Sequence, residues 1–69
     1  MATEAATQAA LGVVGNCVEI LRRIDDGTKT HTYVSGGAAF PGRVRWVDTN
    51  SSDNDATQAA AILANLAIP

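Results

Sequence analysis

The side chains best suited to chemistry in this chain are its single cysteine, Cys17, and its single histidine, His31. A thiol activated by a neighbouring imidazole is a common nucleophile, so the pair is the first candidate for a catalytic site. Cys17, however, lies in an apolar stretch, where a thiol usually behaves as a small buried hydrophobic group. His31 stands among threonines on a predicted strand. We therefore expect a buried cysteine, a solvated or half-buried histidine and no catalytic residue.

Carboxylates form two short clusters, at residues 25–26 and 53–55. The second, Asp53-Asn54-Asp55, lacks the spacing and the closing glutamate of a calcium loop. A structural zinc site needs four Cys or His ligands, and Cys17 and His31 are the only such residues of the chain. We expect both clusters to form turns and helix caps, and we expect neither a metal ion nor a cofactor.

The segment Ser35 to Gly42, SGGAAFPG, is too rich in glycine and proline for regular structure. Glycine-rich loops can bind phosphate, but the known fingerprints need a helix directly after the loop and often a lysine. Because a strand follows here, the segment predicts an ordinary loop. Phe40 near its tip is either an anchor for a partner or a residue that folds back onto the core.

One local group combines basic and aromatic side chains, and its members are Lys29, Tyr33, Arg43, Arg45 and Trp46. Single-stranded nucleic-acid sites join such charges to stacking rings. Strand alternation places the two arginines and Trp46 on opposite faces, so they cannot hold one base together. With a net charge of −2, a small nucleic-acid-binding or regulatory module that uses Lys29, Arg43 and Arg45 is the alternative function and not the leading one.

Cys17 lies within a long amphipathic helix that is predicted from about Thr3 to Ile24. At about 100° per residue, the large apolar side chains between Leu11 and Ile24 fall within one half-circle. Thr3 is the predicted N-cap. The sequence Asp25-Asp26-Gly27 is predicted to end the helix, with Gly27 as a left-handed C-cap.

Two glycines, Gly12 and Gly15, lie on the polar face of this predicted helix. Each costs up to ~1 kcal/mol relative to alanine in a helix interior. They are either simply tolerated or mark the close approach of another backbone. We include both as candidate interaction residues.

Two strands are predicted next, at Thr28–Val34 and Arg43–Asp48, because both segments are rich in β-branched and aromatic residues. An antiparallel hairpin with a long loop is the simplest arrangement. The expected core residues are Tyr33, Val44 and Trp46, and the outer face is expected to carry Thr30, Thr32 and the arginines.

A second helix is predicted from about Asp53 to Leu66, with Ser52 and Asp55 as a capping-box-like start. Its apolar side includes Ile62 and Leu66, and the chain has no ionisable side chain after Asp55. An uncharged helix of this kind favours contact with a partner. The pentad Ala-Thr-Gln-Ala-Ala occurs at 6–10 and 56–60, which we attribute to the alanine-rich composition.

The expected fold is therefore a single small α+β domain over residues 1–69, in the order α-β-β-α. A chain of 69 residues has a small core, and such chains often gain stability by oligomerising. We expect a non-enzymatic structural or interaction protein whose partner is a second copy or a larger protein assembly.

The order helix–hairpin–helix, with the serine-rich start of the last helix at 49–53, is similar to the small head–tail joining proteins of tailed phages. That resemblance implies a component of a virion or a similar assembly. The longest uncharged stretch, Ala56–Pro69, has 14 residues, fewer than the ~20 that a membrane span needs. A lone cysteine without a visible export signal predicts the cytoplasm, or a particle assembled there.

Overall fold

The computed structural model describes residues 3–15 and 17–69, and for residues 14 and 15 it describes the backbone alone. The elements are α1 (Glu4–Gly15), β1 (Glu19–Asp25), β2 (Lys29–Ser35), β3 (Val44–Asn50) and α2 (Asp55–Leu66). The strands form one antiparallel sheet in the order β1-β2-β3. The predicted α+β class is confirmed. The two-stranded hairpin and the α-β-β-α order are wrong, because the sheet has a third strand.

The third strand comes from the segment that was predicted to be the second half of a long helix. α1 ends at Gly15, and residues 19–25 pair with β2 instead of continuing the helix. The turn that follows is a hairpin turn: the backbone N–H of Asp26 donates to the carbonyl of Lys29 at 3.0 Å, and Gly27 has a φ of +95°. Gly27 therefore joins two strands and is not a helix C-cap.

The prediction for Cys17 is wrong as well. The residue is exposed and has a φ of +64°, a conformation that few non-glycine residues adopt. It lies between α1 and β1, where the chain changes direction. The predicted apolar arc is divided accordingly, and its members Val13, Leu21 and Ile24 are exposed.

The face of the sheet that lies under both helices, here called the inner face, holds the core. It includes Val34 and Val47, which pack with side chains from α1 and α2. The buried hydrophobic residues are Leu11, Val18, Ile20, Val34, Val47, Ala59, Ile62 and Leu66. Phe40 from the loop between β2 and β3 packs against this cluster, so it folds back onto the core.

Part of the inner face is polar. Thr30 and Thr32 are buried on β2, next to Arg23 of β1, whose side chain is only 6% exposed. The Thr30 hydroxyl donates to an Asp25 carboxylate oxygen at 2.7 Å, and Arg23 Nη1 donates to the Thr7 hydroxyl at 3.4 Å. These contacts supply partners for groups that would be costly to bury alone.

The opposite face of the sheet, here called the outer face, carries the residues that were expected to be buried. Trp46 and Val44 are 46% and 49% exposed, whereas Thr30 and Thr32 are buried. The alternation along β2 and β3 was predicted correctly, but the faces were exchanged. The charges explain this: His31 and Asp48 lie on the same face as Tyr33 and Trp46, and burying that face would bury them too.

Each helix is attached to an edge strand by a glutamine. Gln8 of α1 accepts a hydrogen bond from the backbone N–H of Ile20 at 2.7 Å and donates to the carbonyl of Val18 at 2.8 Å. Gln58 of α2 is buried and donates to the carbonyl of Asn50 at 3.0 Å. Both glutamines occupy the third position of the repeated pentad, so the same short sequence serves the same structural purpose twice.

Helix α2 begins later than predicted. Its N-cap is Asn54, whose side-chain oxygen accepts a hydrogen bond from the N–H of Thr57 at 2.8 Å. The Ser52 hydroxyl donates instead to the side chain of Asn50. At the start of α1, the predicted cap is confirmed, because the N–H of Ala6 donates to the Thr3 hydroxyl oxygen at 3.1 Å.

The capping assignment predicts unequal effects for two neighbouring substitutions. Asn54→Ala should lower the free energy of unfolding by about 1 kcal/mol, because a helix N–H loses its acceptor. Ser52→Ala, on the exposed turn, should cost clearly less. Urea denaturation followed by circular dichroism measures both, and a larger loss for Ser52→Ala would contradict the assignment.

The loop between β2 and β3 passes very close to the backbone of Cys17. A Cβ atom built on Gly37, which has a φ of +58°, would lie 2.0 Å from the carbonyl oxygen of Cys17. At Gly12 on α1, in contrast, a Cβ would meet no atom within 4 Å. One glycine is therefore required by the packing of this loop, and the other is not required by any described part of the chain.

This contrast predicts opposite signs for the same substitution. Gly37→Ala should destabilise the fold by more than about 1 kcal/mol, since it adds both a backbone clash and strain at positive φ. Gly12→Ala should stabilise it by up to about 1 kcal/mol, because alanine is the better helix former. The free energies of unfolding of both variants, compared with the parent chain, test the loop packing. Equal effects would argue against it.

Candidate interaction surfaces

His31 lies on the outer face between two carboxylates. Its Nδ1 is 2.6 Å from an Asp48 oxygen on β3, and its Nε2 is 2.7 Å from an Asp26 oxygen in the turn before β2. We call this arrangement the His31 bridge. It ties the β1–β2 turn to β3 across the central strand.

The two carboxylates favour the charged imidazolium, because both ring nitrogens must carry a proton for both contacts to be hydrogen bonds. Hydrogen bonds to Asp26 first, and then to Asp48, raise the pKa of His31 above its usual 6.5. In return, the hydrogen bond from His31 and that from the backbone N–H of Lys29 lower the pKa of Asp26 below 3.8.

The bridge limits the proton transfers in which His31 can take part. Both ring nitrogens are engaged, so neither is left to take a proton from a substrate, and the carboxylates lie on opposite sides of the ring. Cys17 contacts Gly37. Gly37 lies six residues after His31, which is up to about 20 Å along the strand direction. Among the described residues there is no group of three or more His, Cys, Asp or Glu able to hold a metal ion.

The cations proposed for nucleic-acid binding do not gather in one patch. Arg43 donates to the carbonyl of Ile68, and Arg45 donates to the carbonyl of Asn65 at 3.3 Å. Both guanidinium groups thus lie at the C-terminal end of α2, where a positive charge is favourable. Lys29 lies five strand positions, or about 17 Å, from the pairing position of Arg45.

The remaining candidate interaction residues lie in different environments. Gly12 is exposed on α1, while the surroundings of Gly15 lie outside the described part of the chain. Phe40 is half-buried against the core, and Ile62 and Leu66 are fully buried within it. Of the four whose surroundings are described, only Gly12 lies on the exposed surface.

An apolar groove runs between the two helices on the side away from the sheet. We call it the helix groove, and its lining residues are Ala10, Val13, Ala56, Ala59, Ala60 and Leu63. Val13 projects beside it with 85% of its surface exposed. The sequence predicted an uncharged surface on α2, and that surface is part of this groove. It did not assign Val13 to the groove, because the first helix was predicted to be longer than it is.

A second surface, on the outer face of the sheet, consists of two aromatic rings. Tyr33 on β2 and Trp46 on β3 are directly opposite each other, with ring centroids 5.1 Å apart and ring planes at 36°. Exposed Val44 and Ile24 lie on the same face, on β3 and β1. Sequence reasoning named both rings and placed them in the core, so it missed this surface.

Comparisons with models of known protein families, with curated proteins and with solved structures gave no match to this chain. Neither helix of the described residues is long and apolar enough to cross a membrane.

The His31 bridge predicts a pH dependence of stability. The folded-state pKa of His31 lies above the unfolded value of 6.5, so the bridge contributes fully below that pH. The contribution is lost as pH rises through the folded pKa. The free energy of unfolding should therefore fall between about pH 6 and the alkaline side of the folded pKa, and proton NMR of the imidazole should give that pKa directly.

Asp48→Asn supplies the matched control for this prediction. It removes one negative charge and keeps the shape of the side chain, so it should bring the pKa of His31 closer to 6.5 and flatten the change in stability. If the measured pKa of His31 in the parent chain is 6.5 or lower, the bridge does not form in solution.

Proposed function

We propose that this protein is a non-enzymatic interaction protein that self-associates through the helix groove. The observation that carries the proposal is Val13, an aliphatic side chain almost fully exposed beside a groove lined by alanine and leucine side chains. Leaving such a side chain in water forgoes about 1.5 kcal/mol or more that its burial would contribute. A partner that covers the groove recovers that free energy.

The chemistry of the lining argues against a small-molecule ligand. The groove has a volume of about 580 Å³, within the range of small-molecule pockets. Such pockets, however, combine apolar walls with a few polar groups that orient the ligand. The side chains of the described residues that line the helix groove include no polar or charged group, so they offer shape and apolar area but no directional contact.

The shape of this surface fits a second copy. A two-fold dimer brings the same surface of both copies together, so each projecting group needs a recess on the same patch. Val13 projects, and Ala56 and Ala60 provide a recess because their side chains are small. Alanines on a helix surface also allow the axes of two helices to approach closely.

The edges of the sheet are a less suitable route to self-association. Edge strands offer unpaired backbone groups to another chain, but Gln8 already occupies the N–H of Ile20 and the carbonyl of Val18 on β1. Gln58 occupies the carbonyl of Asn50 at the end of β3. The helix groove has no such internal partner.

A role in a virion is not part of this proposal. The resemblance to head–tail joining proteins depended on the order helix–hairpin–helix, and the chain has three strands. A cytoplasmic location remains part of it, since a reducing compartment keeps a single exposed cysteine from forming disulfides between copies.

The proposal predicts that a charge in the helix groove prevents association. Light scattering and sedimentation at micromolar concentrations should show dimers or larger species for the parent chain. Val13→Glu should weaken association at least tenfold, because a two-fold dimer loses two buried aliphatic groups and gains two buried charges. Ala60→Glu, at another exposed position lining the groove, should act in the same direction.

Val44→Glu is the matched control, because it makes the same change at a half-exposed valine on the other side of the molecule. It should leave the association constant unchanged. A parent chain that stays monomeric and folded at these concentrations would refute self-association, and loss of association in Val44→Glu alone would assign it to the sheet.

A further inference from the structure

We infer that the outer face of the sheet binds an extended, proline-rich segment of another protein, through Tyr33 and Trp46. This site is separate from the helix groove, since the two surfaces lie on opposite sides of the molecule. The inference does not depend on self-association.

Trp46 is exposed, and Tyr33 beside it is partly buried. Side chains on adjacent strands at the same register stand side by side on the sheet surface, and here they are an aromatic pair with 46% of Trp46 in solvent. Tryptophan and tyrosine are the residues that most often dominate binding surfaces, because they bury a large area at a small entropic cost. An aromatic pair that leaves the tryptophan ring half exposed on the uncovered face of a sheet is a binding surface of this kind.

Each of the two rings carries a polar group that can donate a hydrogen bond. In the described part of the chain, neither the Tyr33 hydroxyl nor the Trp46 indole N–H forms a hydrogen bond with another group. Both are donors. A polyproline II segment has backbone carbonyls without internal hydrogen bonds, so it supplies the acceptors that these donors lack.

The backbone of the sheet restricts the kind of segment that can bind on the outer face. β2 is paired on both sides, so the outer face presents side chains and no unpaired backbone groups from its central strand. An added β-strand needs a free edge, and it cannot pair on this face. A polyproline II segment needs no such pairing, and aromatic-lined surfaces are the usual binding sites for it.

The charges around the rings argue against the other occupants. Arg22 lies beside Tyr33 on β1, and His31 and Asp48 lie one outer-face position further along β2 and β3. A second copy packed face to face would bury these charged groups at a cost, whereas a single extended segment leaves them in water. The two carboxylates of the His31 bridge also repel the phosphates of a nucleic acid.

Trp46 is the only tryptophan of the chain, so its fluorescence reports on this site directly. The parent chain should give a saturable change in emission with an oligoproline peptide and none with a glycine–serine peptide of equal length. Isothermal titration calorimetry should show at least tenfold weaker binding for Tyr33→Ala and Trp46→Ala, because each loses one of the two rings. Tyr33→Phe, which keeps the ring and loses only the hydroxyl donor, should bind more weakly by a smaller factor.

Ser52→Ala provides the control, because Ser52 is exposed in the turn after β3, outside both surfaces, and the variant should bind the peptide like the parent chain. Circular dichroism of each variant establishes that it is folded, and truncation of Trp46 is the better tolerated of the two because that ring is exposed. The inference fails if oligoproline produces no saturable change, or if the glycine–serine peptide binds equally well. It also fails if a single-stranded oligonucleotide or an oligosaccharide binds through Trp46 and the proline-rich peptide does not.

Discussion

The packing of the inner face of β2 is the constraint on which the rest of this structure depends. β2 is the central strand, and Thr30, Thr32 and Val34 on its inner face are all buried under the helices. Because side chains alternate along a strand, this choice also fixes the other face: His31 and Tyr33 must point outward. The register then determines which residues of β1 and β3 accompany them.

On the central strand itself the covered face carries no ionisable side chain, and the buried Arg23 of β1 on the same face has the Thr7 hydroxyl as a partner. The outer face carries His31 and, on its neighbours, Asp48 and Arg22. Covering those groups with helices would remove them from water, whereas the inner threonines satisfy their hydroxyls locally, as Thr30 does with Asp25. Trp46 remains exposed and Tyr33 partly exposed as a consequence, and the free energy that the fold does not gain from burying them fully is available for binding.

The result is a small molecule with two surfaces of different chemistry on opposite sides. The helix groove is uniformly apolar and suits another surface of the same shape, while the aromatic pair carries hydrogen-bond donors and has charged neighbours. Arg43 and Arg45, which a basic-residue count would assign to a nucleic acid, instead bind carbonyls at the C-terminal end of α2. A protein that joins copies of itself to extended segments of a partner is consistent with both surfaces.

The sequence by itself determined the local structure of this protein. Thr3 as the first cap, most of β2, β3 and α2, and the irregular loop around Phe40 all follow from residue types and spacing, because neighbouring residues largely decide caps, strands and turns. It also contained an unused signal for β1, since β-branched residues before Asp26-Gly27 are typical of a hairpin. Only the tertiary structure decided that 19–25 is a strand, because pairing with β2 outweighs a helical pattern of apolar residues. The tertiary structure alone also decided which sheet face is covered, because both faces of β2 and β3 carry apolar residues. The free-energy cost of removing His31, Asp48 and Arg22 from water can be recognised only once the strand register brings these residues together.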